Sequence, residues 1–180
     1  VLAERGYFST DLIPTFRHYG SILQGHPEMK KVPGVDMSTG SLGQGISAAG
    51  GMALAAKLDK KDYRVYAALG DGELEEGQVW EQAMVAAHYK LDNLTAFVDN
   101  NGLQIDGNIK DVMNPTPIDE KFRAFGWHVI LADAHDFNSL ESAVNEAKAT
   151  KGKPTVIIMK SIKGKNVSYM ENQAGWHGAA

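Results

Sequence analysis

The sequence predicts an α/β fold in which a parallel β-sheet is flanked by helices on both faces. From Tyr63 onward, short apolar runs typical of buried strands alternate with segments of helical period. Gly, Pro, Asn or Asp stands at the boundaries of these segments. Connections of helical length between strands are the pattern of β-α-β units, which form parallel sheets.

The predicted elements follow one another without a linker or an internal repeat. Strands are predicted at residues 64–69, 94–98, 128–131 and 155–159, with helices between them at 78–89, 118–125 and 139–150. Upstream, residues 44–58 are rich in Ala, Gly and Met and predict a buried helix, and residues 2–5 predict a short one. Residues 20–40 show little periodicity and predict an ordered, functional loop.

Composition predicts one globular domain that binds a small molecule. The 180 residues are 43% apolar with a net charge of -4, which gives no reason to expect a nucleic-acid or membrane partner. Cysteine is absent, which rules out disulfides and thiolate chemistry, and we expect a cytoplasmic protein. Because the chain starts at Val1 without an initiator Met, we expect the domain, residues 1–180, to be incomplete at its amino terminus.

Chemistry is predicted where two successive strands end. Gly70-Asp71-Gly72 follows one strand and Asp99-Asn100-Asn101 follows the next, so both loops should meet at one edge of the sheet. A carboxylate and an amide oxygen suit Mg²⁺, and glycines allow a diphosphate to approach the backbone. Either tripeptide alone is also common turn chemistry, so the prediction depends on their combination.

This combination resembles the thiamine diphosphate motif, in which Gly-Asp-Gly is followed by Asn. Further motifs resemble those of transketolases: Gly-His-Pro-Glu at residues 25–28, Thr-Gly-Ser-Leu-Gly-Gln-Gly at 39–45, Ile-Asp-Gly at 105–107 and Trp-His-Gly at 176–178. The chain looks most similar to the amino-terminal subunit of split transketolases, which implies the thiamine diphosphate-binding fold. Ser41 departs from the Pro that the family commonly has in its loop, and an upstream Gly-His element is missing.

The resemblance implies a site for thiamine diphosphate and Mg²⁺, with Ca²⁺ or Mn²⁺ as alternatives. Asp71, Asn101 and the carbonyl of Leu103 would hold the metal, and Gly70 and Gly72 would lie against the diphosphate. The remaining cofactor contacts implied are Gly40 and Leu42 at the aminopyrimidine, Ile105 at the thiazolium and His177 near the diphosphate.

Three residues would serve catalysis in this interpretation. His26 would meet the hydroxyl groups of the sugar, His177 would lie near the donor ketose, and Glu76 would join Glu81 in a carboxylate network across a subunit interface. Other interpretations stay open at this point. His26 could be an ordinary loop residue, His177 part of a frayed terminus, and the glutamates favourable charges at a helix start.

The implied function is transfer of a two-carbon ketol unit between ketose and aldose phosphates. A glutamate on a separate pyrimidine-binding domain is required, so we expect a C-terminal partner subunit, two copies of each chain and self-association through the cofactor interface. The alternatives are a deoxyxylulose phosphate synthase, a 2-oxoacid dehydrogenase component, or a noncatalytic scaffold of the same fold.

Overall fold

The computed structural model describes residues 1–178, so the last two residues of the predicted domain lie outside it. The chain divides into two compact units, Val1–Gly45 and the remainder from Ile46 onward. The prediction of one domain stays a prediction.

The first unit is built mainly from turns. A short 3-10 helix spans Thr10–Thr15, and the Ser9 hydroxyl caps it by accepting from the Asp11 N–H at 3.2 Å. The predicted helix at residues 2–5 is wrong: this segment forms turns, and Gly6, with a φ of +80°, prevents them from continuing into a longer right-handed helix. The predicted loop at residues 20–40 has no helix or strand, as expected.

The second unit contains the predicted parallel sheet. Its strands and those of a small hairpin are, in chain order, β1 (Val65–Gly70), β2 (Leu94–Asn100), β3 (Leu103–Gln104), β4 (Gly107–Asn108), β5 (His128–Asp133) and β6 (Thr155–Lys160). The four long strands are parallel in the order β1-β2-β6-β5, and β3 pairs with β4 in an antiparallel hairpin. All four long strands therefore end at the same edge.

Helices cover both faces of this sheet, as predicted. They are α1 (Gln44–Leu58), α2 (Gly77–His88), α3 (Ile109–Val112), α4 (Ile118–Ala124) and α5 (Phe137–Ala149). Alternate side chains of β6 enter two separate cores: Val156 and Ile158 pack with α1, α2 and α4, whereas Ile157 packs with α5. No helix among residues 1–178 has the length and apolar content that crossing a bilayer requires.

The predicted boundaries agree closely with this structure. Each of the four predicted strands starts within one residue of the observed strand and ends one or two residues too early. The β3–β4 hairpin was not predicted, because its strands have two residues each and no alternating pattern can be recognised at that length. This hairpin directly follows β2 and carries several candidate site residues.

Candidate functional site

The loops after β1 and β2 lie side by side at the carboxyl edge of the sheet. Gly70 is opposite Asp99 in the parallel register, and the Asp71 N–H donates to the Asp99 carbonyl at 3.2 Å. The strand pairing thus continues one residue beyond β1. It carries the Asp71 side chain to the start of the next loop.

Asp71 joins the two loops through its carboxylate. One oxygen, Oδ1, accepts from the Gly72 N–H at 2.9 Å, and the other, Oδ2, accepts from the Gly102 N–H at 2.6 Å. Gly102 adopts a φ of +77°, a conformation in which glycine is favoured. The structure therefore brings Asp71 next to the loop of Asn101, the neighbour relation on which the predicted metal site depends.

The environment of Asp71 disfavours its negative charge. The residue is only 1% exposed, and burial raises the pKa of its carboxyl above the usual range. The Gly102 and Gly72 N–H groups lower this pKa in part, and the nearby Asp99 raises it further. None of the ion pairs among residues 1–178 involves Asp71. A bound cation would supply the counter-charge that the protein does not.

Asn101 is held in the same loop by both ends of its amide. Its Oδ1 accepts from the Leu103 N–H at 2.9 Å, and its Nδ2 donates to Asp99 Oδ2 at 3.2 Å. The Asp99 carboxylate also accepts a hydrogen bond from the Ser161 hydroxyl, at the end of β6. Because the Asp99 carboxylate fixes the amide nitrogen of Asn101, the amide oxygen is directed away from Asp99, toward the Leu103 backbone.

These residues fit a hard, oxygen-binding divalent ion. The described residues contain no group of three or more His, Cys, Asp or Glu side chains placed to hold a metal. A site here would combine the Asp71 carboxylate with the Asn101 amide oxygen and the Leu103 carbonyl. Such neutral oxygens around one carboxylate, with further oxygens from a phosphate ligand, match Mg²⁺ and not the nitrogen and sulfur ligands typical of zinc.

The two glycines of the Gly-Asp-Gly motif have no side chains and present only backbone atoms. The Gly70 N–H donates to Glu73 Oε2 at 3.1 Å, and a Cβ added at Gly72 would lie 3.2 Å from the Gln104 side chain. A 3-10 helix spans Gly72–Glu75, and α2 begins at Gly77, one residue before its predicted start. Amide donors for a diphosphate would come from this turn before they come from α2.

Glu76 precedes α2 and does not cap it with its side chain. It occupies the N-cap position in an extended conformation, and its side chain makes no capping hydrogen bond. Both Glu76 and Glu81, one turn into α2, are exposed. The start of a helix favours their negative charges, and because both side chains are exposed, their carboxylates remain accessible to another group.

Two further candidates lie in the second unit. Ile105, in the turn of the β3–β4 hairpin, is 67% exposed, which is unusual for a branched apolar side chain. His177 follows a 3-10 helix at Ala174–Trp176, and its Nδ1 lies 3.1 Å from Lys163 Nζ. Partial burial of the ring and the Lys163 ammonium lower the pKa of His177, so the neutral imidazole is favoured.

The remaining candidates belong to the first unit, where two of them are in contact. A Cβ added at Gly40 would lie 2.7 Å from two ring carbons of His26, so the imidazole packs directly on this glycine. His26 is exposed, and Leu42 is 53% exposed. A larger residue at Gly40 would displace the His26 ring, which explains why glycine is needed beside it.

A wide cleft lies along the same edge of the sheet, over β5 and β6. It measures about 650 Å³, and its lining includes Asn101, Gly102, Asp133, Lys160 and Ser161. Asp71 is not among its lining residues. The cleft therefore adjoins the candidate site without containing its buried carboxylate.

Reasoning from the sequence assigned no role to Asp99, Gly102 or Ser161, although all three build the site. Ligands bind at the carboxyl ends of parallel strands, a rule that was used for β1 and β2. Applied to β6, the same rule indicates Ser161, which directly follows that strand. Asp99 precedes the candidate ligand by two residues and could have been noticed on that ground. The backbone donor of Gly102 leaves no signal in a sequence beyond the glycine itself.

Comparison with known proteins agrees with this geometry. Residues 4–180 match the family described as the thiamine diphosphate-binding domain of transketolase. A protein from Clostridium sp. (strain MSTE9), named 6-deoxy-6-sulfo-D-fructose transketolase subunit SqwG, is 46% identical over 176 residues. A Phocaeicola vulgatus protein, named as one subunit of an apulose-4-phosphate transketolase, is 43% identical over 176 residues. These matches cover 98% of this chain but only 64% and 62% of the two relatives, so the chain spans a little under two thirds of their length.

Solved structures show the same similarity. The transketolase of Campylobacter jejuni superimposes with a TM-score of 0.85 at 33% identity, covering 91% of this chain and 27% of that one. A Pichia stipitis transketolase in complex with sedoheptulose-7-phosphate gives a TM-score of 0.80 at 36% identity, covering 84% of this chain and 24% of that one. The similarity to transketolase subunits predicted from the sequence is thereby confirmed, and the chain belongs to the transketolase family, as part of its thiamine diphosphate-binding domain.

Proposed function

We propose that this chain is the diphosphate-binding subunit of a transketolase. Together with a partner chain, it transfers a two-carbon ketol unit from a ketose phosphate to an aldose phosphate, the chemistry of the pentose phosphate pathway. Its cofactors are thiamine diphosphate and a divalent ion, Mg²⁺ by preference and Ca²⁺ or Mn²⁺ as substitutes.

One observation supports this proposal more than any other. The hydrogen bond from the Gly102 N–H to Asp71 Oδ2 joins the two loops that the cofactor motif requires. The carboxylate that this bond holds is buried, and it forms no ion pair with a cationic side chain among residues 1–178. A protein that needed Asp71 only for its turn would gain nothing from burying an uncompensated charge, which is costly.

Each metal ligand has its own part in the proposal. Asp71 would supply the negative charge, and the Asn101 amide oxygen and the Leu103 carbonyl would supply neutral oxygens to the ion. Asp99 orients the Asn101 amide by accepting from its nitrogen. Gly70 and Gly72 let a diphosphate reach the backbone. When bound, thiamine diphosphate supplies a nucleophilic carbon and an electron sink, which no protein side chain offers.

The other candidates serve the substrate and the organic part of the cofactor. Exposed Leu42, near Gly40, offers an apolar contact to the aminopyrimidine, and exposed Ile105 offers one to the thiazolium. His26 and His177 bind the hydroxyl groups of the sugar and exchange protons with them. A neutral His177, as its lowered pKa favours, can accept such a proton.

The proposal requires a second polypeptide. The pyrimidine-binding domain and its glutamate are placed on a C-terminal partner subunit, and exposed Glu76 continues a carboxylate network toward it. Two copies of each chain would form a heterotetramer around the cofactors, with self-association through the cofactor interface. The names of two relatives as subunits support this arrangement. A cytoplasmic location stays a prediction.

Calorimetry tests cofactor binding. The complete chain, purified with its partner and freed of cofactor, is titrated with thiamine diphosphate in the presence and absence of Mg²⁺. Asp71→Ala should weaken Mg²⁺-dependent binding by roughly 100-fold or more, since loss of outer groups alone costs about 10-fold to 100-fold. Asp92→Asn, at the opposite end of the sheet, is the matched control and should bind normally. Equal binding by the Asp71 variant would reject the proposed site.

An activity assay separates the family from its alternatives. The assembly is supplied with ribose 5-phosphate as acceptor and xylulose 5-phosphate as donor, with pyruvate as the competing donor. Ketol transfer from the ketose supports a transketolase, whereas turnover of pyruvate points to a deoxyxylulose phosphate synthase or 2-oxoacid dehydrogenase type. Because relatives are named for apulose-4-phosphate and 6-deoxy-6-sulfo-D-fructose, both sugars belong in the donor panel. The chain alone should be inactive.

A further inference from the structure

Gln104, in the hairpin strand β3, packs against the Gly-Asp-Gly loop. A Cβ built on Gly72 would lie 3.2 Å from Gln104 Cβ and 3.2 Å from Gln104 Oε1. The side chain therefore reaches from β3 to the backbone beside Asp71. Along the chain it stands between Leu103, a candidate metal ligand, and Ile105, a candidate cofactor contact.

The side-chain oxygen of Gln104 is buried and has no hydrogen-bond partner among the described residues. Such an acceptor costs free energy, because water no longer satisfies it. The N–H of Gly72, against which Gln104 packs, already bonds to Asp71 Oδ1, and the Gly102 and Leu103 N–H groups of the adjoining loop bond to Asp71 and Asn101. A donor for Gln104 would therefore have to come from outside the described residues.

A hydrated divalent ion is a suitable source of this donor. Mg²⁺ prefers six oxygens in an octahedron and retains several water molecules in protein sites. The three ligands proposed from this chain and the oxygens of a diphosphate leave room for such a water. Coordination to a cation makes a water molecule a stronger proton donor, and its hydrogens require acceptors.

We propose that Gln104 is a further residue of the metal site, whose side-chain oxygen accepts a hydrogen bond from a water molecule on the divalent ion. This inference rests on the proposed function, because it requires the ion and its diphosphate. It explains why an unpaired oxygen is kept against Gly72: the cost in the cofactor-free chain is recovered when the ion binds.

The inference makes two predictions of opposite sign for Gln104→Met, which keeps the length of the side chain and removes the acceptor. Without cofactor, the variant should melt no lower than the wild type and up to about 4 °C higher, because an unsatisfied acceptor is lost. Mg²⁺-dependent binding of thiamine diphosphate should weaken by roughly 10-fold, as for other residues that support metal ligands. Both are measured on the assembly purified with its partner, by scanning calorimetry and titration calorimetry.

Thr155→Val is the matched control. Thr155 begins β6, at the end of the sheet opposite the site, is 1% exposed, and also has a buried oxygen without a partner among residues 1–178. Removing that oxygen should likewise leave the melting temperature unchanged or raise it, but it should not alter cofactor binding. Gln104→Leu provides a second variant without the acceptor, with the same pair of results expected.

The possible outcomes separate this inference from the proposed function. If the wild type shows no Mg²⁺-dependent binding, the proposed function fails and the inference falls with it. If the wild type binds and both Gln104 variants bind equally well, the inference alone is overturned. Weaker binding combined with a lower melting temperature in both Gln104 variants would also overturn it, because packing would then explain the loss.

Discussion

Asp71 and Asp92 lie at opposite ends of the same sheet and have opposite surroundings. Asp92 precedes β2, and its carboxylate accepts from Lys57 Nζ at 2.7 Å and from the Gly152 N–H at 2.9 Å. Burial opposes its charge, but the Gly152 N–H and the Lys57 ammonium outweigh this effect and lower the pKa of Asp92. Asp71 also accepts two hydrogen bonds, yet it is more deeply buried and no cationic side chain pairs with it among the described residues. Its pKa is therefore raised.

The difference separates a carboxylate whose charge the surrounding protein stabilises from one whose charge it does not. Two N–H donors do not compensate for burial at Asp71, whereas one N–H donor and one ammonium group do so at Asp92. The fold thus completes its own charge balance at the amino ends of the strands. At the carboxyl ends it leaves the Asp71 carboxyl without an ion-pair partner among residues 1–178, as the proposed metal site requires.

The largest expected effect concerns the pH dependence of stability at Asp71. Because its folded pKa is raised, its contribution to stability is present below the unfolded pKa and is lost as the pH rises through the folded value. Without cofactor, Asp71→Asn should therefore gain stability relative to the wild type as the pH rises, by up to about 1.4 kcal/mol per pH unit. Urea unfolding in a pH series from acid to neutral measures this difference. If the stability of Asp71→Asn relative to the wild type stayed constant or fell as the pH rose, the contrast between Asp71 and Asp92 would be contradicted.

Asp92→Asn should show the opposite trend. The folded pKa of Asp92 is lowered, so its contribution is present above the unfolded pKa and is lost as the pH falls through the folded value. At neutral pH the variant should be less stable by about 1–2 kcal/mol, because the hydrogen bonds to an ionised group are weakened. Its deficit should shrink in acid, in the same urea series. A deficit that grew toward low pH would contradict this account.

The smallest expected effect extends the comparison to His177, a candidate site residue beside an unfavourable charge. Lys163→Met removes an ammonium group 3.1 Å from the ring and should raise the pKa of His177 toward its ordinary value, with the effect of burial remaining. Proton NMR of the imidazole measures this titration. Lys165→Met is the control, since Lys165 instead pairs with Glu171 at 3.4 Å, and it should leave the His177 titration in place.

Much of the fold could be predicted because its elements have strong local patterns. The long strands contain continuous apolar runs, and α1 was predicted with both of its ends correct, at Gln44 and Leu58. The predicted helix at residues 2–5 failed because the run was too short for its propensity to outweigh the turn at Gly6. The β3–β4 hairpin was missed because its pairing depends on the loop it closes and not on a sequence period.

The sequence by itself determined which residue types stand at the ends of the strands and in which order, since these follow from local patterns and the rule that parallel strands end together. Only the tertiary structure decided the charge state that those positions favour. Burial of Asp71, the Gly102 donor that fixes it, and the Gln104 oxygen held without a partner all arise from contacts between segments that are distant in sequence. Desolvation depends on everything packed around a group, and no local pattern of residues records it.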